Sequence, residues 1–302
     1  MKVLITGGAG FIGSHLADKL LESNHEVFII DDLSSGDLNN LSYRCKFFEV
    51  EICDKNSVSD AFFKIKPDVV YHLAAQINVR KSITNPILDA EINTIGTLNI
   101  LNECVEHQVK KIIFSSSGGA IYRDDEDFLK TENSIVQPAS PYGISKWTGE
   151  QYIKFYKDIY GLDYTILRLS NVYGPRQNSK GEAGVISIFI NNIKDNNPLT
   201  IFGTGEQIRD YVYVEDVVNA MELSLRVSGT FNVSTGKETT VNQLVDKICS
   251  KFNCKNIIHA PRIEGELFRN CLSSQLLQSH GWQVTHDIDV GIGKTIQYFK
   301  NN

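Results

Sequence analysis

The 302-residue chain has no block of basic residues, no long apolar run and no Cys-x-x-Cys pair. Each absence removes a class of function. With a formal charge of −6 and scattered lysines and arginines, the chain offers no footprint for nucleic acid or an anionic membrane. Nothing approaches the ~20 apolar residues that a membrane-spanning helix needs. The N-terminus reads as a strand where a signal peptide would carry a long apolar segment and a cleavage site. The six cysteines (45, 53, 104, 249, 254 and 271) lack metal-ligand spacing, so no metal site is expected. They read as small buried hydrophobes in a reducing compartment, not as a disulfide framework, and the expected location is the cytoplasm. There is no internal repeat and no low-complexity segment, and the acidic run Asp124 to Asp127 reads as a solvated loop.

What is present begins at residue 1. An apolar strand, Met1 to Thr6, runs into Gly7-Gly8-Ala9-Gly10-Phe11-Ile12-Gly13, and the next apolar run, Val27 to Ile30, ends in Asp31-Asp32. Glycines at 8, 10 and 13 let main-chain N–H groups approach a pyrophosphate and let the following helix pack close to the sheet. The helix N-terminus adds unpaired donors and a partial positive charge. Gly7, Gly10, Phe11, Ile12 and Gly13 are therefore the expected pyrophosphate contacts. A carboxylate at the end of the second strand accepts both ribose hydroxyls and repels the 2′-phosphate of NADP, which points to NAD.

Strand-like runs at 2–6, 26–30, 46–50, 68–73, 110–115 and 163–169 alternate with helix-like stretches at 11–23, 56–65, 86–107 and 141–160. That alternation predicts an α/β fold with a doubly wound, parallel Rossmann-type sheet and right-handed crossovers. Residues 1–170 are the expected NAD-binding domain. After Asn171 the segments shorten, which predicts a smaller α/β substrate-binding region over 171–302. The run 229–234 reads as a strand that could rejoin the main sheet. Ligands in such folds sit at the carboxyl ends of the strands, so the loops at 7–13, 31–36, 72–82 and 115–122 face the candidate site.

Two of those segments carry chemistry. The fifth strand ends in Ser115-Ser116-Ser117, and Pro141-Tyr142-Gly143-Ile144-Ser145-Lys146 opens a helix. Tyr142 and Lys146 fall one turn apart on one face. A tyrosine titrates at about 10 in isolation; an adjacent ammonium and an oxidised nicotinamide both favour the phenolate. Ser117 can then hold a reacting hydroxyl, and Lys146 can also bond the nicotinamide ribose. A Tyr-x-x-x-Lys pair means little alone in a chain with 12 tyrosines. Its weight comes from placement after an NAD fingerprint, at a strand end and a helix start.

These segments, with His72-Leu-Ala-Ala-Gln76, Asn93-Thr-Ile-Gly-Thr97, Asn171-Val-Tyr-Gly-Pro-Arg176 and Arg209-Asp-Tyr-Val-Tyr213, resemble those of the extended short-chain dehydrogenase/reductases. Within that family the chain looks most like the UDP-glucose 4-epimerase group. The resemblance implies that Tyr142 takes the proton of the sugar C4 hydroxyl while hydride passes to NAD. The 4-keto sugar then turns over and is reduced on its other face. It also implies that Asp31 and Asp32 meet the adenosine ribose and that Glu51 and Ile52 meet the adenine. Leu73, Ala74, Ala75, Gln76 and Ser115 line the rest of the cofactor. A UDP-sugar diphosphate needs arginines in an acidic protein. Arg209 with Tyr211 beside it, Arg269, Arg262 and Asn171 are the candidates, and Cys271 falls where the family varies a residue that gates a 2-acetamido group. A homodimer through 86–107 and 141–160 follows from the likeness as well.

Rivals within the family need groups that this loop lacks. Dehydratases carry an Asp-Glu pair where this chain has Gly118-Gly119, and UDP-xylose-forming decarboxylases carry a glutamate in the same loop. A UDP-uronic acid stays open as a substrate through Arg80, Arg176 or Arg269. A non-catalytic NAD sensor would typically have lost Tyr142 or Lys146.

Overall fold

Seven apolar segments form the central sheet, and the order in which the chain visits them fixes where a ligand can sit. The structure is a computed structural model describing every residue except 124–128, 179–183, 253, 255, 263–267 and 302. The acidic run 124–127 thus lies outside the described residues. In chain order the strands are β1 (Lys2–Thr6), β2 (Glu26–Asp31), β3 (Lys46–Glu49), β4 (Val69–His72), β5 (Lys111–Ser117), β6 (Asp163–Leu169), β7 (Asn171–Tyr173), β8 (Leu199–Phe202), β9 (Ile208–Arg209), β10 (Tyr211–Tyr213), β11 (Gly229–Val233), β12 (Thr239–Thr240), β13 (Ile257–Ala260) and β14 (Arg269–Asn270). The helices used below are α1 (Phe11–Glu22), α2 (Lys55–Ile65), α3 (Val79–Thr84), α4 (Pro86–Ala90), α5 (Gly96–Glu106), α6 (Gly118–Ile121), α7 (Pro141–Tyr160), α8 (Val185–Lys194), α9 (Val214–Leu223) and α10 (Val241–Cys249).

The main sheet runs β11-β6-β5-β4-β1-β2-β3 with every pair parallel. From β1 the chain moves outward through β2 to β3, then crosses to the other side for β4. The reversal opens a cleft beyond the carboxyl ends of β1 and β4. Side chains alternate between two cores. Val3 and Ile5 face α1 and α9, while Leu4, Val70 and Phe114 face α2, α5 and α7. β11 lies beside β6, so the C-terminal half completes the sheet that the first half begins. Small sheets pair β7 with β10, β8 with β13, and β9 with both β12 and β14. Among the described residues, no helix is long and apolar enough to cross a membrane.

Two features depart from the sequence reading. The single helix expected over 86–107 is two helices, α4 and α5, joined by a wide π turn at Glu91–Ile95 that places Asn93 in the interior. Such turns widen the backbone spiral locally and cluster at functional sites. The cysteines are not all unpaired: Cys249 at the end of α10 is bonded to Cys254. The turn that ends the helix brings their Cα atoms to 5.2 Å, inside the range a disulfide spans. Cys45, Cys53, Cys104 and Cys271 are free.

The cleft loops are tied together from beneath. Thr6 Oγ1 accepts the N–H groups of Leu73 and Ala74 at 3.2 and 3.1 Å, so its own proton goes to His72 Nδ1 at 2.7 Å. His72 Nε2 then carries the ring proton and donates to Thr97 Oγ1 at 2.9 Å; Thr97 in turn donates to the Asn93 carbonyl at 2.7 Å. Burial, seconded by the Lys146 ammonium, pushes the imidazole from 6.5 down to about 3. The unfolded chain therefore binds the His72 proton well before the folded chain does. Folded stability from this group is complete above about pH 6.5 and falls as pH drops toward 3, by at most about 1.4 kcal/mol per pH unit. Urea melts of wild type and His72→Gln between pH 4 and 7 check this. The variant should show the flatter pH dependence, and equal slopes would remove His72 as the cause.

Candidate active site

The glycine turn is built for close approach. Gly7 sits at φ +70°, and a Cβ there would lie 2.7 Å from the Ala74 nitrogen. At Gly13 a Cβ would lie 2.2 Å from the Gly7 carbonyl oxygen. The β1 and β4 loops and the start of α1 therefore touch through backbone alone. Gly10, the N-cap of α1, supplies no side-chain cap, and a Cβ there would meet only the Gly7 oxygen, at 3.2 Å. The first amides of α1, from Phe11, Ile12 and Gly13, are left for an anion in the cleft. Asp31 closes the second loop: its carboxylate accepts from Ala9 N at 3.0 Å and Leu33 N at 2.9 Å. Burial raises its pKa, against the pull of those two amide bonds. Asp32 is exposed and accepts from Ser34. Glu51 is exposed, while Ile52 is buried under Gly96 with its carbonyl held by Asn99 at 3.0 Å. This cradle fits a dinucleotide: a bare backbone turn for the pyrophosphate and a carboxylate beside it for a ribose.

The β4 loop lies alongside. Gln76 N–H donates to Asn93 Oδ1 at 2.8 Å, and Asn93 Nδ2 returns a bond to the Gln76 carbonyl at 2.9 Å. Both amide side chains also donate to Asp89 Oδ1, at 2.8 and 3.0 Å. Asn93 further reaches Ser145 Oγ at 3.2 Å, on the turn of α7 that carries the tyrosine and lysine. Asn93 belongs to a recognised motif, but nothing in its neighbours in sequence shows the π turn that brings it inward.

The residues expected to handle a proton are brought together by β5, α6 and α7. Ser140 caps α7 by accepting from Gly143 N at 3.1 Å, and Pro141 occupies the first turn. Gly143 lets that turn press on α6, since a Cβ there would lie 2.2 Å from the Ala120 carbonyl oxygen. Gly149 does the same over the Phe114 ring, 3.0 Å away. Tyr142 is thus seated beside the turn that follows Ser117. Lys146 is 96% buried by its 4% exposure. It donates to the Ser115 carbonyl at 2.9 Å and lies 4.9 Å from the Phe114 ring centre. Burial pushes its ammonium down to about 8, with Asp89 and Glu150 opposing the shift.

The substrate side is set by register. β10 pairs with β7 so that Tyr211 opposes Asn171, and β14 pairs with β9 so that Asn270 opposes Arg209. Asp210 between them is fully buried, accepting from Thr235 N and Oγ1 at 2.9 and 2.6 Å and from Gly236 N at 2.8 Å. Arg209 is half-buried, with Nη1 on the Ile208 carbonyl at 2.8 Å. Tyr211 packs in the core edge-on to Tyr173. Arg269 is ion-paired with Glu238, and Arg176 pairs with Asp18 on α1 at 2.8 Å. The Cβ position of Gly203 lies 3.5 Å from that of Arg262, and Phe202 beside it is 40% exposed.

The Cys271 thiol is buried against Asp210 Oδ2 at 3.5 Å, and burial seconded by Asp210 pushes its pKa up. Its neighbour Asn270, the last residue of β14, lies at the turn that follows Ser117. Asn270 Nδ2 approaches the Gly118 carbonyl at 3.5 Å. The Cβ position of Gly119 is 3.4 Å from Asn270 Nδ2 and 3.7 Å from Ser117 Oγ. Asn270 Oδ1 is buried without a hydrogen-bond partner among the described residues.

Comparison with known proteins agrees with the fold. Residues 3–234 match the model of the NAD dependent epimerase/dehydratase family. A Methanocaldococcus jannaschii protein is 47% identical over 303 residues, covering 99% of each chain. The solved UDP-glucose 4-epimerase of Thermotoga maritima with UDP-glucose superimposes with a TM-score of 0.98 at 42% identity, over 100% of this chain and 99% of that one. The Thermus thermophilus UDP-glucose 4-epimerase in complex with NAD gives 0.96 at 39%, over 99% of both. This chain belongs to the NAD-dependent epimerase/dehydratase family.

Proposed function

We propose that the protein is an NAD-dependent UDP-sugar 4-epimerase that interconverts UDP-glucose and UDP-galactose. The observation that carries this reading is the seating of Tyr142 and Lys146 against the Ser117 turn, at the same sheet edge as the glycine cradle. NAD, when bound, accepts hydride from the sugar C4 and returns it. The chain's own part is to hold the sugar and move one proton. Ser117 bonds the C4 hydroxyl, the Tyr142 phenolate takes its proton as the carbonyl forms and gives it back as the phenol on reduction, and the Lys146 ammonium favours the phenolate form. Asp31 holds the adenosine ribose, and Arg209 bonds the diphosphate. The exposed Phe202 ring beside Arg262 is a stacking surface for the base. Epimerisation needs no further acid or base, and Gly118-Gly119 supplies none, which disfavours dehydration. The ion pairs of Arg176 with Asp18 and of Arg269 with Glu238 count against either as the partner of a uronic acid carboxylate. The reading places the enzyme in the cytoplasm, with residues 1–170 serving mainly the cofactor and 171–302 mainly the nucleotide sugar.

The direct test is incubation with a panel of UDP- and dTDP-sugars, with products read by NMR. UDP-glucose and UDP-galactose should interconvert; failure on the whole UDP panel overturns the reading. Tyr142→Phe should lower kcat by on the order of 10²–10⁴ while bound NAD, read by absorbance after denaturation, stays at the wild-type level.

The sugar's C2 substituent should be sensed by Asn270. Its orphan oxygen suits a hydroxyl or the N–H of a 2-acetamido group, and leaving such an acceptor unpaired is costly. Asn270→Leu should change the ratio of kcat/KM for UDP-N-acetylglucosamine over UDP-glucose by about tenfold or more. Cys271→Ser should leave the ratio nearly unchanged, and the opposite ranking would return the role to Cys271.

The outer face of α7 supports a homodimer. Ile144, Phe155 and Ile159 are half or more exposed along one stripe, with Ile87 and Ile95 beside them, and such a stripe is covered in a stable protein. Light scattering should give twice the chain mass for wild type and the chain mass for Phe155→Glu; a wild-type monomer contradicts the assignment.

A further inference from the structure

Under the catalytic turn lies a buried polar network that the reaction as described does not use. Ser116 Oγ donates to Glu150 Oε1 at 2.6 Å. Arg168 grips the same carboxylate from the side, Nε to Oε1 at 3.0 Å and Nη2 to Oε2 at 2.7 Å. Its remaining nitrogen, Nη1, donates to the Tyr122 hydroxyl at 2.8 Å and to the Glu132 carbonyl at 3.1 Å. Tyr122 in turn donates to Asn232 Oδ1 at 2.7 Å, and Asn232 Nδ2 reaches the carbonyls of Lys130 and Ser273 at 3.0 and 3.2 Å. All five side chains are buried, with Glu150 and Asn232 at 0% exposure.

Stability alone is a poor reason for such a group. An ion pair taken out of water roughly cancels its own attraction, and apolar residues of the same volume often hold a fold as well or better. Its position gives a better one. Ser116 immediately precedes Ser117, and Tyr122 immediately follows the short helix α6, so the carboxylate and guanidinium hold the 117–121 turn at both ends. Glu150 lies on α7, one turn beyond Lys146 and two beyond Tyr142. Arg168 is anchored on β6, whose Leu169 pairs with Ser117 in the sheet.

We infer that Glu150 and Arg168 are positioning residues that lock the Ser117 turn to the helix carrying Tyr142 and Lys146, so that hydroxyl and phenol meet at one sugar carbon. The inference rests on the epimerase reading above. A misplacement of about 1 Å in such a constellation costs on the order of 10²-fold in rate, which is the effect the clamp prevents.

The test compares Ser116→Ala, Tyr122→Phe and the apolar double variant Glu150→Leu/Arg168→Met with wild-type holoenzyme. Hydrogen exchange by mass spectrometry is read together with kcat, KM and bound NAD. The double variant should melt within a few degrees of wild type yet lose about tenfold or more in kcat, with KM for UDP-glucose and NAD content changed by about twofold at most. The two single variants should lose less, in the same pattern. In all three, amide exchange over 117–121 should quicken while β1 and β4 keep wild-type protection. Should the double variant fail to fold, the single variants decide. Wild-type kcat and unaltered exchange over 117–121 would overturn the clamp. So would a loss of kcat accompanied by equal loss of NAD, KM and protection throughout, because that marks a purely structural role. A wild-type protein inactive on UDP-glucose would count against the function, while the exchange data would still judge the clamp.

Discussion

An ammonium group removed from water sits at the seam between β5 and α7, and the candidate site is arranged around it. Lys146 has a carbonyl for a ligand, an aromatic ring beside it, and Asp89 and Glu150 as its nearest counter-charges. Isolated, such a charge costs several kcal/mol to bury. The fold tolerates it because every element packed there contributes a compensating group. Asp89 comes from α4, Glu150 from the same helix one turn on, and the Ser115 carbonyl from the strand. A lysine so placed stays charged at neutral pH but is readily discharged, and that suits the role proposed for it, favouring a phenolate.

The same economy governs the elements around it. His72 is kept neutral by burial and by the nearby Lys146 ammonium, with its two ring nitrogens satisfied by threonine hydroxyls. Asp89 and Asn93 fasten the β4 loop to α7, so the segment expected to line the cofactor is tied to the helix that carries Tyr142 and Lys146. On the substrate side Asp210 does comparable work, fastening the β10 strand, the turn at 235–236 and Cys271. Binding groups placed on such a rigid frame need little reorganisation at the moment of reaction.

Most of the fold could be read from residue order. The glycine turn, the acid ending β2 and the alternation of strands and helices specify a parallel sheet with a cleft at a known edge, and the strand-like segment 229–234 does rejoin that sheet beside β6. Tyr142 and Lys146 were legible because helix periodicity alone places them together. What escaped depended on contacts distant in sequence or on very short elements. Asn270 ends a two-residue strand and Cys271 follows it, a segment too short for alternation to show as a pattern, so residue order does not tell which of the two side chains approaches the Ser117 turn. The Glu150–Arg168 pair and its link to Asn232 join β5, β6, β11 and α7, and no local spacing announces it. The Cys249–Cys254 bond followed from how α10 ends, which the sequence does not mark.

The proposed chemistry requires a Lys146 ammonium buried on α7, one helical turn from Tyr142. Nitrogen-15 NMR of the lysine side chains, with Lys146 assigned by its substitution and followed across pH in the cofactor-free protein, measures it directly. A titration at about 8 is expected. A midpoint at the ordinary 10.5 would mean that the amine is in water, and the arrangement described here would not be the one that operates.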